Sequence, residues 1–299
     1  MEAAYEFDLV VIGSGPAGQA AAIQAAKLGK RVAVIERKRG VGGVTVHLGT
    51  LPSKTFREAV ISLKRGSVQK SLEAAGIHHV ELTMEMLLAR VSSVINDEQQ
   101  LIRGTLLRNG IKVIWGFASF VDEHTILVDS ADGDRTITTA FTLLACGTRP
   151  VLPPGCPDQS GDESPIVLTS DTVGRLKEIP RSMVVVGGGV IGVEYASFFA
   201  VLGTKVTLVE RGPRPISFMD HETVDEMIHD LRTNDLVLRC NENVVSIAVT
   251  PGPDRRVQVE LESGKRITAW PMCTSSVALA PRTCTPRSSF VSRWKMSFR

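Results

Sequence analysis

The chain has 299 residues, 43% hydrophobic and 22% charged, with 34 basic and 32 acidic side chains and a net charge of +2. That balance excludes wholesale disorder, and the length suggests about two domains, since one core rarely grows past ~250 residues. The small net charge demands neither nucleic acid nor an anionic membrane as partner, and five scattered cysteines without a CxxC pair argue against a disulfide framework or a metal site.

The N-terminal stretch MEAAYEFDLV is acidic and lacks the basic start of a signal peptide. A strand is expected at DLVVI, running into the glycine turn Gly13-Ser14-Gly15-Pro16-Ala17-Gly18. A helix follows, then a second β-rich run, RVAVIE, ending at Glu36. Each glycine has a mechanical reason. Gly13 permits a tight turn, Gly15 lets backbone approach a pyrophosphate, and Gly18 lets helix and strand pack closely. The helix N-terminus offers N–H groups and partial positive charge to phosphates, and the carboxylate of Glu36 can accept from ribose hydroxyls.

The segment Gly40 to Val60, GVGGVTVHLGTLPSKTFREAV, comes next. Further on, Trp115-Gly116-Phe117-Ala118 reads as a packed strand segment, and Thr142 to Pro150, TLLACGTRP, as a strand end with Cys146 a small buried residue. The longest apolar stretch, Met183 to Val201, contains three consecutive glycines and Glu194. It reads as strand, turn and helix rather than a membrane span. A soluble cytoplasmic protein is expected.

That stretch opens a repeat. Val10 to Arg37 resembles Val184 to Arg211 at an offset of 174, with twelve identities in 28 positions. Gly187, Gly189, Gly192 and Glu210 stand where the first copy has Gly13, Gly15, Gly18 and Glu36. Val190 and Ile191 open the second helix as Pro16 and Ala17 open the first. Each copy is a β–turn–α–β unit, so the fold class is α/β with two tandem Rossmann-like dinucleotide-binding domains. Two such folds imply two dinucleotides, and a flavin with a nicotinamide can exchange hydride. Glu210 suits the 2′-hydroxyl of NAD and repels the 2′-phosphate of NADP, with Arg211 and Arg214 close enough to offset it. His47, His221 and His229 read as non-catalytic.

From Trp270 to Arg299 there are five basic residues and no acid, and residues 1–269 carry a net charge of −3. No strand or helix period is visible there, so this tail reads as an appended basic segment, or as disordered or frameshifted sequence.

The glycine turn at Gly13–Gly18 together with Gly40–Val60 resembles the two-dinucleotide flavoprotein disulfide reductases. In that family a redox cysteine pair, spaced CxxxxC, precedes a Pro-Ser-Lys segment. Here the corresponding positions are Thr45 and Thr50, so thiol–disulfide chemistry at that place is excluded. Gly49 to Lys54, GTLPSK, is similar to the soluble, Si-specific pyridine nucleotide transhydrogenase branch, which works without the disulfide. Thr45 departs from that branch, where Cys is usual.

The resemblance implies FAD on residues 1–150 and NAD or NADP on residues 151–269. It implies Gly43, Thr50, Ser53, Lys54, Gly116, Ala118 and Gly147 beside the flavin nucleotide. It pairs Lys54 with Glu194 as catalytic residues, a buried cation near the flavin held by its partner carboxylate. The implied activity is FAD-dependent transfer of hydride between NADPH and NAD⁺. The alternatives are a flavin NAD(P)H diaphorase resembling dihydrolipoamide dehydrogenase, or a catalytically dead nucleotide-binding remnant. The family's members continue with a closing strand, a Gly-Asp motif and a dimer-forming domain. The match here is expected to stop near Ala269, leaving the second domain incomplete and without its closing strand.

Overall fold

The computed structural model describes residues 5–64, 83–153, 155–157, 159, 165–250, 255–274 and 277–278. In chain order the first part forms β1 (Phe7–Ile12), α1 (Pro16–Lys27), β2 (Val32–Glu36), α2 (Gly43–His47), α3 (Thr50–Lys64), α4 (Met84–Arg108), β3 (Lys112–Trp115), β4 (Phe117–Phe120), β5 (Thr125–Asp129) and β6 (Arg135–Leu144). Then come β7 (Arg149–Pro150), β8 (Val167–Thr169), a 3-10 turn at Val173–Arg175, β9 (Ser182–Val186), α5 (Val190–Val201) and β10 (Lys205–Val209). The last elements are α6 (His221–Thr233), β11 (Val237–Arg239), β12 (Val244–Val249), β13 (Val257–Leu261), β14 (Arg266–Ala269), β15 (Met272–Thr274) and β16 (Val277–Ala278). The described residues form two compact units, one within Met1–His47 and Ile95–Thr148 and the other within Leu48–Val94 and Arg149–Ala278.

The first unit is built on a six-stranded sheet of order β3-β2-β1-β6-β5-β4. The run β3-β2-β1-β6 is parallel, and β6 continues into an antiparallel meander with β5 and β4. Every residue of β2 is buried, as expected of a parallel strand covered on both faces. The core gathers Val10, Ile12, Ala33, Ile35 and Ile114 from the parallel part with Ile126 and Ile137 from the meander. Burying each Val or Ile side chain contributes roughly 1.5–3 kcal/mol, so this core fixes the register of the strands that carry the glycine turn.

The second unit repeats the plan with a five-stranded parallel sheet, β11-β10-β9-β15-β8. A three-stranded antiparallel meander, β12-β13-β14, packs its Val257, Val259 and Leu261 against Val184 and Val209 of that sheet. The repeat seen in the sequence is a repeat of structure. Both unit helices have Gly at the N-cap, and both end on a positive-φ glycine, Gly29 at +74° and Gly203 at +87°. Each of these glycines donates to the carbonyl three residues back, closing the helix.

Two expected boundaries are corrected. The second sheet does take up a strand after residue 269. β15 lies between β9 and β8, parallel to both, with Met272, Cys273 and Thr274 registered on Val184, Val185 and Val186. Three residues beyond Trp270-Pro271 are too short to show a period, which hid this strand in the sequence. The basic tail beyond Ala278 lies outside the described residues.

The chain divides at Thr148–Arg149, beside the expected residue 150, but the earlier segment that holds α3 groups with the second unit. Helix α5 is apolar almost all round, burying Val193, Tyr195, Ala196, Phe198, Phe199 and Ala200, and so needs cover on more than its sheet side. α3 supplies it: the Phe56 ring lies 6.0 Å from the rings of both Phe198 and Phe199.

Candidate functional site

In the first unit β1 ends in the glycine turn at the carboxyl edge of the parallel strands. Gly13 has φ +107°, and a Cβ there would stand 2.3 Å from the carbonyl oxygen of Ala145. A Cβ on Gly18 would stand 2.0 Å from the carbonyl oxygen of Gly13. Both glycines are required by the protein's own packing. Gly15 is different. Its φ is −67°, and a Cβ would meet nothing closer than the Cα of Gly43 at 4.0 Å. The fold does not need a glycine there, so its bareness is available to a ligand that must approach the backbone closely.

Helix α1 starts at this open position with no side-chain cap, and so does α5 at Gly189. Gly189 likewise has nothing within 4 Å of an added Cβ. By contrast α6 is capped by Asp220, whose Oδ1 accepts from the N–H of Glu222 at 3.0 Å and of Thr223 at 3.2 Å. The two helices that follow the glycine turns lack this satisfaction, which suits N–H groups reserved for phosphates. Pro16 and Ala17, and Val190 and Ile191, form the first helical residues there.

The acids hook the turns. Glu36, 8% exposed, accepts at Oε2 from the Ser14 N–H at 3.1 Å and the Ser14 hydroxyl at 2.6 Å, and at Oε1 from the Lys38 N–H at 3.0 Å. Glu210 accepts at Oε2 from the Gly188 N–H at 2.5 Å and at Oε1 from the Gly212 N–H at 2.7 Å. The sequence assigned these acids to ribose hydroxyls; the structure adds that each also braces its own turn. Carboxylate oxygens keep further lone pairs, so both roles are compatible. The expected balancing of Glu210 by Arg214 is not found: Arg214 is paired with Asp225 of α6, and its hydrogen bond lowers that carboxyl's pKa. Arg211 is exposed. Burial pushes the Cys240 thiol up, with the charge of Glu210 as the second cause.

Within the second unit Lys54 of α3 and Glu194 of α5 form the anticipated ion pair. The setting differs from expectation: the Lys54 side chain is 54% exposed and that of Glu194 23%, so the cation is not buried within this unit. Ser53 is buried, and its hydroxyl donates to the carbonyl of Thr50 at 3.2 Å, within its own helix. Thr45 belongs to α2 of the first unit, and Thr50 opens α3 of the second.

The other first-unit residues divide. Gly43 has φ +61° and lies against Gly15, and Gly147 has φ +70° with open space around it. Gly116 adjoins Glu36, donating to its carbonyl at 3.0 Å. Ala118 is 5% exposed and its methyl is committed to the core, leaving only backbone for a ligand. Cys146, expected to be buried, is exposed. His47 points its Nε2 at the Val41 carbonyl, 3.0 Å away, in keeping with a non-catalytic role. Sequence reasoning missed Ser14 and the amides of Lys38, Gly42 and Gly212; the only cue was a serine where the repeat has glycine.

Two braced glycine turns on the carboxyl edges of two parallel sheets define a protein with a pair of dinucleotide-binding folds. A family model described as pyridine nucleotide-disulphide oxidoreductase matches residues 7–276, and the chain belongs to that family. The match reaches past β15, so the expected stop near Ala269 is also corrected.

Among relatives, the soluble pyridine nucleotide transhydrogenase of Mycobacterium tuberculosis is 47% identical over 267 residues, covering 88% of this chain and 55% of its own. That of Chromohalobacter salexigens is 38% identical over 268 residues, covering 89% and 56%. Among solved structures, LpdA from Mycobacterium tuberculosis matches with a TM-score of 0.78 at 25% identity, over 95% of this chain and 60% of that one. The HOCl-induced flavoprotein disulfide reductase RclA from Escherichia coli gives 0.75 at 28%, over 91% and 57%. The chain therefore spans just over half the length of these relatives. Among the described residues no helix is long and apolar enough to cross a membrane.

Proposed function

We propose that the first cradle holds FAD and the second a nicotinamide dinucleotide, and that the chain derives from an FAD-dependent transhydrogenase of the soluble, Si-specific kind. The observation that carries this is the pair of open positions, Gly15 and Gly189, each at an uncapped helix N-terminus with a braced acid beside it. The flavin, when bound, supplies the relay by which hydride passes from NADPH to NAD⁺. The chain's own part is positioning, and correct alignment can remove several kcal/mol of barrier.

Gly13, Gly15, Gly18 and Glu36 would hold the flavin dinucleotide, with Gly43 and Gly147 lining its approach. Gly187, Gly189, Gly192 and Glu210 would hold the nicotinamide dinucleotide. Glu210, its carboxylate braced by two amides, favours NAD over NADP. Lys54 would supply positive charge and Glu194 would fix its ammonium. Threonines at positions 45 and 50 leave no redox disulfide, and none is required, because the two nicotinamide couples are nearly isoenergetic. A cytoplasmic location goes with this reading.

Anaerobic stopped-flow mixing with NADPH and then NAD⁺ tests it. Bleaching of flavin absorbance that recovers with NAD⁺ is the expected result. Recovery only with quinone or oxygen would make the protein a diaphorase, and a colourless preparation that takes up no FAD would make it a nucleotide-binding remnant.

A further inference from the structure

The two turns match atom for atom in their acid-to-amide bonds except at one position, where the first has Ser14 and the second Gly188. Ser14 is wholly buried. Its hydroxyl donates to Glu36 Oε2 at 2.6 Å and accepts from the Gly42 N–H at 3.2 Å, while its carbonyl accepts from the same Gly42 N–H at 3.1 Å and from Gln19 Nε2 at 2.8 Å. One residue therefore ties together the glycine turn, the acid and the loop that leads into α2. That loop is held against the open position itself: a Cβ on Gly43 would stand 2.8 Å from the Cα of Gly15.

The second turn has no such hydroxyl, and Glu210 sits close over the bare position. A Cβ on Gly188 would stand 2.9 Å from Glu210 Oε2 and 3.1 Å from its Cβ and Cγ. The asymmetry is thus built into how each acid is seated.

We propose that Ser14 is a positioning residue that fixes the first cradle before its nucleotide arrives and so makes it a site of slow release, whereas Gly188 leaves the second cradle an exchange site. This rests on reading the first cradle as the FAD site. The physical basis is pre-organisation. A turn, acid and loop already locked need little ordering on binding, and all three must let go together on release. A relay needs this difference, since one nucleotide stays while the other turns over.

The test uses the full chain loaded with FAD, with Ser14→Gly to copy the second turn and Ser14→Ala to remove only the hydroxyl. Release is followed after dilution by the rise of free-flavin fluorescence. Both variants should release FAD roughly 10- to 100-fold faster, the size of one hydrogen bond to a charged group.

In the FAD-free chain, hydrogen exchange at the Gly42 amide should quicken while that of β2 does not. The alanine variant carries the same expectation should the glycine variant not fold. Release at the parental rate in the folded variants overturns the proposal, as does exchange that quickens in β2 as much as at Gly42. A parent chain that takes up no FAD overturns the functional reading instead, so the two failures are told apart.

Discussion

Alanine at Gly15 and alanine at Gly18 should have opposite consequences, although both glycines belong to one motif. At Gly18 the new Cβ would stand 2.0 Å from the Gly13 carbonyl oxygen, 3.1 Å from its carbon and 3.2 Å from Val11 Cγ1. The first contact overlaps by more than 1 Å with backbone, which cannot rotate away. Overpacking of this kind costs typically about 1–3 kcal/mol, and more against rigid backbone. With about 2–4 °C per kcal/mol for a chain of this size, melting of the FAD-free protein should fall by roughly 5–10 °C.

At Gly15 the new Cβ meets only Gly43 Cα at 4.0 Å, and the backbone is already at φ −67°. The lost flexibility of the unfolded chain and the poorer N-cap roughly cancel, leaving stability within ~1 kcal/mol of the parent. The methyl does, however, fill the space proposed for the pyrophosphate. Losing one or two hydrogen bonds to a charged group, at ~1.5–3 kcal/mol each, weakens FAD by roughly 100-fold or more. Thermal melts of the FAD-free proteins and FAD titration by fluorescence quenching measure both quantities. The reasoning is refuted if Gly15→Ala binds FAD as the parent does, or if it destabilises the FAD-free chain as much as Gly18→Ala.

Glu194→Gln should slow hydride transfer more than it weakens FAD retention, because it releases the Lys54 ammonium from its partner without touching the first cradle; equal transfer rates in stopped flow would remove that role. Asp220→Ala should cost about 1 kcal/mol by urea unfolding, since it strips the cap from α6, and an unchanged midpoint would contradict the cap. The hydrogen bond from the Arg31 guanidinium holds the Asp8 carboxyl at about 2, below its ordinary 3.8. That stabilisation is complete above pH ~4 and fades as pH falls toward 2, so Asp8→Asn should flatten the acid limb of the stability curve, seen by circular dichroism. Burial pushes the Cys273 thiol up to about 12, so it should resist iodoacetamide at pH 9 in the folded chain and react once the chain is unfolded in urea.

The local pattern was enough to place both β–turn–α–β units, because glycine spacing, buried apolar runs and the acid at the second strand end are each fixed by short-range geometry. The same residues named the family, which the match over residues 7–276 bears out. Three things depended on contacts distant in the chain. The three residues of β15 carry no period of their own and become a strand only because β9 and β8 offer two unpaired edges to fill. The segment Thr50–Lys64 joins the second unit because a helix as apolar as α5 must be covered on a further side, and Phe56 meets it there. Ser14 looks like a filler between two glycines until the fold brings Glu36, 22 residues away, and Gly42, 28 residues away, onto its hydroxyl. Sequence reports what neighbouring residues permit; which polar groups are left to satisfy one another inside is decided only when the chain closes on itself.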